Sequence, residues 1–280
     1  MEIINYLANG KPSINSKVAF YTIFNKLGFS QNHNLTNYLK SLDELVFSFE
    51  KSVTSQALSN CHGDWYEWLL NIVAWKVIAS NKTKYILVSL PNVTSFSIFD
   101  LYKPEVINMV NKLKDRANKQ GVQLITSNPD FVLINKNVFF DSNYFNFDSS
   151  LDQQQLAKMD GAYTNYIGKC DLHDVIGYLS VKHSLRPDRR LQIAHEGSLM
   201  KAIYSNLCNT KYSDTPNHVY PPLKYYAATS RATEADLNGL KTIATHSLAN
   251  PDAPMVTAVD KVFICSTVQE AASVFSIILN

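Results

Sequence analysis

The stretch Gly177-Tyr178-Leu179-Ser180-Val181-Lys182-His183-Ser184-Leu185-Arg186-Pro187-Asp188-Arg189-Arg190 decides the fold. Gly177 to Ser184 reads as a strand, and Arg190 to Asn209 reads as a long helix after it. The turn between them is basic and carries Pro187 just ahead of the helix. A strand feeding a helix through a short polar turn is a unit of α/β architecture.

Working outward, more strands and helices appear. Tyr85-Ile86-Leu87-Val88 is strand-like and ends at Pro91, and Glu105 to Lys119 is an amphipathic helix closed by Gly121. Val122 to Thr126 and Phe131 to Ile134 read as two short strands, separated by the turn-forming Ser127-Asn128-Pro129-Asp130. Asn135 to Ser150 is polar and aromatic without a period and reads as an irregular insertion. A helix is expected over Leu151 to Ile167. Downstream, Lys224 to Thr229 and Val262 to Cys265 read as strands, and Gln269 to Leu279 as a closing helix.

The N-terminal region is helical. Val18, Tyr21, Ile23, Phe24 and Leu27 form an apolar stripe that stops at Gly28, and Leu35 to Phe49 continue the helical period. Asp64 to Ala79 is apolar on several faces and reads as a buried helix. The expected fold is α/β, with a mixed central β-sheet flanked by helices. One connection is a tight turn and others are helical, so both parallel and antiparallel pairings are expected.

No repeat, low-complexity tract or Gly/Ser linker divides the 280 residues. A single domain, 1–280, is expected, with a helical region over residues 1–80 packed on an α/β core over residues 81–280. Hydrophobic residues make up 46% and charged residues 18%, a globular balance. No apolar run is long enough to span a membrane, and Met1 to Pro12 lacks the basic start and apolar core of a signal peptide. Cys61, Cys170, Cys208 and Cys265 form no CxxC pair, which argues against zinc and for reduced thiols in a cytoplasmic protein. The net charge of +2 neither points to nucleic acid nor excludes it, because acidic metal ligands can offset a local basic surface.

The chemistry sits on Asp130 at a strand start, Ser180 and Lys182 on a later strand, and Glu196 on the helix after it. Metal-assisted phosphodiester hydrolysis needs such a set. Mg²⁺ takes carboxylate oxygens and keeps several waters, and a neighbouring lysine stabilises phosphorane charge or positions the nucleophile. Taken alone, the pattern occurs by chance in many chains. Asp130 then reads as an Asx-turn residue, Lys182 as a solvated strand lysine and Glu196 as a surface helix residue.

The residues just after Lys182 add a second function. Arginine pairs bidentately with guanine O6 and N7, and aspartate accepts from cytosine N4. Arg186, Asp188, Arg189 and Arg190 put these groups at a helix start, which also favours phosphate. The competing reading is a capped helix with surface charge, Asp188 being a favourable early-helix acid.

Several segments carry a resemblance. They are Ile125 to Asp130, Ser180 to Lys182, Arg186 to Gln192 and Ala194 to Ser198, together with Cys61 to Trp68, Pro91 to Phe96, Tyr225 to Ser230 and Leu240 to His246. In order and spacing the chain resembles the CCGG-cutting Type II restriction endonucleases of the PD-(D/E)XK superfamily. This is the group of NgoMIV and SgrAI, and the similarity is greatest to the Cfr-ten-I and Bse-six-three-four-I branch that cuts R^CCGGY. Asn135 to Asp171 and Lys211 to Leu223 resemble it least.

The resemblance implies roles. Asp130, Lys182 and Glu196 would form the metal-binding and catalytic core with Mg²⁺. Ser180 stands where the superfamily usually has an acid, and Glu196 takes over that carboxylate role. Glu67 would be a further acidic ligand, its alternative being a polar residue on an otherwise buried helix. Arg186, Asp188 and Arg189 match the CCGG-reading motif, while Arg190 reads as a phosphate or structural contact.

The implied partner is double-stranded DNA, cut to leave 5′-phosphates and four-base 5′ overhangs. A palindrome demands at least a homodimer, and the resemblance implies a homotetramer. Lys211 to Leu223, with Pro216, Pro221 and Pro222, is a candidate interface loop. A DNA methyltransferase would belong to the same system without contacting the enzyme. The competing functions are another nuclease of the superfamily, lacking the arginine reader, and a DNA-binding protein that no longer cuts.

Overall fold

The structure, a computed structural model, describes all residues except 1, 31, 81, 147–149, 215–219 and 249–253. A hairpin of β1 (Ile4–Tyr6) and β2 (Pro12–Ile14) leads into α1 (Ser16–Leu27), α2 (Leu35–Phe49) and α3 (Ser55–Ala79). Then come β3 (Tyr85–Ser89), α4 (Pro104–Lys119), β4 (Phe131–Asn135), α5 (Ser142–Phe145), α6 (Gln153–Asp160) and β5 (Val175–Lys182). The chain continues through α7 (Pro187–Lys211), β6 (Lys224–Thr229), α8 (Glu234–Leu240), β7 (Lys261–Ile264) and α9 (Val268–Ile278).

Local chemistry sets the helix ends. The side chains of Asn15, Asn34 and Thr54 accept backbone N–H bonds at the starts of α1, α2 and α3. At Gly28 the backbone turns to φ +66°, which ends α1 where the apolar stripe stops. Helix α3 begins nine residues before the expected Asp64, because Thr54 caps a polar first turn and Leu58 and Cys61, buried at helical spacing, carry the stripe on to Trp65.

Helix α3 is the hub of the core. Trp65, Tyr66, Leu69, Leu70, Ile72, Ala74 and Ile78 are fully buried, and the helix packs against β3, β5 and α9. Burying each large apolar side chain contributes roughly 1.5–3 kcal/mol. Tyr66 donates its hydroxyl to the Cys265 carbonyl at 2.8 Å, tying α3 to the segment after β7.

The sheet order is β3-β4-β5-β6-β7. β3, β4 and β5 pair antiparallel, and β5, β6 and β7 pair parallel. The sheet is mixed and flanked by helices, as expected, but one expected strand is absent. Val122 to Thr126 forms no ladder, and Val122 and Ile125 are exposed. Both sides of β4 are already taken by β3 and β5, so no free edge remains for a hairpin at Ser127 to Asp130. The segment is held by side chains instead. Asn128 donates to the Pro91 and Phe96 carbonyls, each at 2.8 Å, and accepts from the Ile98 N–H at 3.1 Å.

Other boundaries move. The expected helix over Leu151 to Ile167 breaks at Gly161 into α6 and a 3-10 turn, Ala162–Tyr166. The Asn135 to Ser150 insertion contains α5, whose Phe145 is fully buried under Trp75. Helix α7 starts at Pro187, three residues before Arg190, with proline in its first turn where the missing N–H costs nothing. Of the candidate interface loop, residues 215–219, including Pro216, lie outside the described residues. All four cysteines are free and buried. Among the described residues no helix is long and apolar enough to cross a membrane.

Candidate active site

Register brings the first three side chains together. Phe131 pairs with Leu179, so Asp130, one residue before β4, reaches the level of Ser180. Ser180 and Lys182 share a face of β5. Asp130 Oδ2 accepts from the Val181 N–H, from Ser180 Oγ at 3.2 Å and from Lys182 Nζ at 3.0 Å. Lys182 lies mostly out of solvent. Burial works against its charge, but the charge and hydrogen bond of Asp130, with Glu67 and Glu196 beyond, leave its pKa above the ordinary lysine value.

Glu196 arrives from α7 and is buried. Its Oε1 accepts from Ser127 Oγ at 2.8 Å and Gln192 Nε2 at 2.9 Å, and its Oε2 accepts from the Tyr225 hydroxyl at 3.0 Å. Tyr225 lies on β6, so this bond ties Glu196 to the strand paired in parallel with the one that carries Lys182. The next residue must be glycine. A Cβ at Gly197 would lie 2.3 Å from the Ala258 carbonyl oxygen and 3.0 Å from the Tyr225 ring. That close approach seats α7 where Glu196 reaches the sheet.

Glu67 projects from α3 into a cavity of about 280 Å³ lined by Asp64, Trp68, Asn71, Phe131 and Asp160. Burial and then the charge of Asp130 push its carboxyl well above the usual range, against the pull of Lys182. The Asn71 Oδ1 atom is buried there without a hydrogen-bond partner among the described residues.

The basic segment comes directly after β5. Arg186 caps α7 and pairs with Asp188 at 3.3 Å, and both are about two-thirds exposed. Arg189 is half-buried. Arg190 turns to Asp236 on α8 at 3.0 Å, with both side chains largely covered. His183, between Lys182 and this segment, packs its ring on His62 and Tyr66.

The family model described as Cfr10I/Bse634I restriction endonuclease matches residues 1–280. The chain belongs to this family. The Type II restriction enzyme Cfr10I of Citrobacter freundii is 34% identical over 296 residues, covering 100% of each chain. The solved Bse634I restriction endonuclease superposes with a TM-score of 0.87 at 27% identity, covering 100% of this chain and 98% of the other. The structure of the Type IIF restriction endonuclease Bse634I with cognate DNA gives 0.86 at 27% identity, with the same coverage.

This member of the Cfr10I/Bse634I family is thus a Type II restriction endonuclease that cleaves DNA at a palindrome containing CCGG, on a PD-(D/E)XK fold. The structure brings Asp130, Ser180 and Lys182 into direct contact. Glu196 and Glu67 stand close enough to act on the Lys182 charge. Among the described residues, no group of three or more His, Cys, Asp or Glu side chains is placed to hold a metal ion. A magnesium ion does not need one, since one or two carboxylates plus waters and phosphate oxygens suffice. Burial and the neighbouring Asp130 charge disfavour the ionised form of Glu67, and a hard cation beside Asp130 would offset both.

Three residues that hold Glu196, all inside segments that carry the resemblance, have no role assigned from sequence. Gln192 lies four residues before Glu196, and that helical spacing was a usable signal. Ser127 and Tyr225 come from distant segments, and nothing local ties either of them to Glu196.

Proposed function

We propose that the enzyme is Mg²⁺-dependent and cuts double-stranded DNA at R^CCGGY, leaving 5′-phosphates and four-base 5′ overhangs. The observation that carries this reading is the Asp130–Lys182 pair at 3.0 Å, with the Arg186–Asp188 pair at the start of the next helix. One scaffold thereby joins a cutting site to a base reader.

Asp130, Glu196 and Glu67 would hold the metal. Bound there, Mg²⁺ would supply Lewis-acid polarisation of the scissile phosphate and a more acidic water. Lys182, charged at neutral pH, stabilises negative charge building on the phosphate oxygens. Ser180 steadies Asp130 in the place where a strand carboxylate is usual. Arg186 and Arg189 face guanine O6 and N7, and Asp188 orients Arg186 and accepts from cytosine N4. Arg190, already paired with Asp236, acts mainly by fixing α7 to α8, with a phosphate as its secondary contact.

A palindromic site requires at least a homodimer, and the family likeness, including a relative solved with cognate DNA, supports a homotetramer. The chain reads as one domain, because a single core cluster runs through both the helical region (residues 1–80) and the catalytic region (residues 81–280). A prokaryotic, cytoplasmic setting with a cognate DNA methyltransferase, not in contact with the enzyme, completes the reading.

Digestion of plasmid DNA with Mg²⁺, followed by sequencing of the ends, tests it. Fixed ends at R^CCGGY with 5′ overhangs are expected. A ladder without preferred ends, or equal cutting without divalent metal, contradicts it.

A further inference from the structure

The whole chain holds five arginines, Arg116, Arg186, Arg189, Arg190 and Arg231. Four of them lie on the segments that leave β5 and β6. Those strands run parallel and in register, with Lys182 opposite Thr229, so their exits emerge side by side. Ser230 Oγ donates to the His183 carbonyl at 2.8 Å, which holds the two exits together, while Thr229 Oγ1 donates to the Arg231 carbonyl at 3.1 Å. Between them lies a cavity of about 420 Å³ lined by Ser184, Leu185, Arg186, Arg231, Thr233 and Asp236.

The four arginines differ in how they are held. Arg190 is committed to Asp236, Arg186 is oriented by Asp188, and Arg189 is half-buried. Arg231 is exposed, and its guanidinium makes no ion pair or hydrogen bond among the described residues. Reading a base edge requires a guanidinium fixed in orientation, whereas gripping a phosphate requires charge and reach.

We propose that Arg231 is a further DNA-contacting residue, which grips a backbone phosphate beside the base pairs addressed by Arg186 and Arg189. This rests on the reading of that arginine segment as the DNA reader. It extends the DNA-facing surface from the turn before α7 to the turn before α8. It also gives the β6 exit a role in binding that no motif in the sequence marks.

The test compares the full-length enzyme with Arg231→Ala and Arg231→Lys. Ca²⁺ replaces Mg²⁺ so that binding is read without cutting, on a cognate duplex and on one with the CCGG scrambled. One phosphate contact contributes about 0.9 to the slope of log affinity against log salt. Between about 0.05 and 0.2 M salt, the affinity advantage of wild type over Arg231→Ala should therefore shrink about 3.5-fold, equally on both duplexes. Arg231→Lys should keep the wild-type slope. An unchanged slope in Arg231→Ala, or a loss confined to the cognate duplex, overturns the assignment. Should the wild type fail to prefer CCGG, the reader assignment falls while the salt slope still decides Arg231.

Discussion

The buried Tyr225 hydroxyl donates to Glu196 Oε2 at 3.0 Å and so fastens a helix carboxylate to the strand beside Lys182. A hydrogen bond to a charged group contributes roughly 1.5–3 kcal/mol. Tyr225→Phe keeps the ring and removes that bond. Single-turnover cleavage should slow roughly tenfold or more, while DNA affinity measured with Ca²⁺ stays near wild type. Wild-type cleavage in this variant would show that Ser127 and Gln192 hold Glu196 without help.

Gly197 tests the same placement through the backbone. An added methyl would meet the Ala258 carbonyl at 2.3 Å, a rigid neighbour. Gly197→Ala should destabilise the fold by about 1–3 kcal/mol, as overpacking does. Thermal unfolding reads this as a lower Tm, and cleavage should fall further than the lost stability explains. An unchanged Tm would mean that α7 shifts freely.

The arginines of α7 should separate by role. Arg186→Ala and Arg189→Ala each lose about 1–3 kcal/mol of discrimination, read as a smaller preference for CCGG over mismatched duplexes. Arg190→Ala instead breaks the pair with Asp236, and should lower Tm while sparing discrimination. If Arg190→Ala lost cognate binding as selectively as Arg186→Ala, Arg190 would join the base readers.

His183 gives a pH dependence with a definite sign. Burial, then the electrostatic influence of His62, Arg231 and Arg189, against the opposing pull of Asp43, hold its imidazole below the ordinary value of 6.5. The unfolded chain therefore takes up a proton that the folded protein resists. Stability is fully present above about pH 6.5 and is lost as the pH falls from there through the folded value. Tm measured from about pH 7.5 down to about 5 should decline less steeply in His183→Gln than in wild type. Parallel declines would remove His183 as a source of that dependence.

The sequence made the site's strands and helices legible because their signals are local. Pro187 and Asp188 mark the start of α7, and Ser180 and Lys182 alternate on β5. Where long-range contacts decide, the reading failed. Val122 and Ile125 have strand chemistry, yet β4 already has both neighbours, so the segment stays outside the sheet. The Thr54 cap extends α3 through mostly polar residues in which only Leu58 and Cys61 are buried, a stripe too sparse to mark the helix start. Tyr225 meets Glu196 across 29 positions, and only the parallel pairing of β5 with β6 sets it beside the strand that carries Ser180 and Lys182.

The most direct measurement compares Asp130→Ala and Lys182→Ala with wild type, scoring cleavage of a cognate duplex with Mg²⁺ and binding of that duplex with Ca²⁺. Both variants should lose cleavage and still bind CCGG in preference to a scrambled site. Continued cutting by Asp130→Ala would contradict the assignment of the metal site to Asp130 and its Lys182 partner.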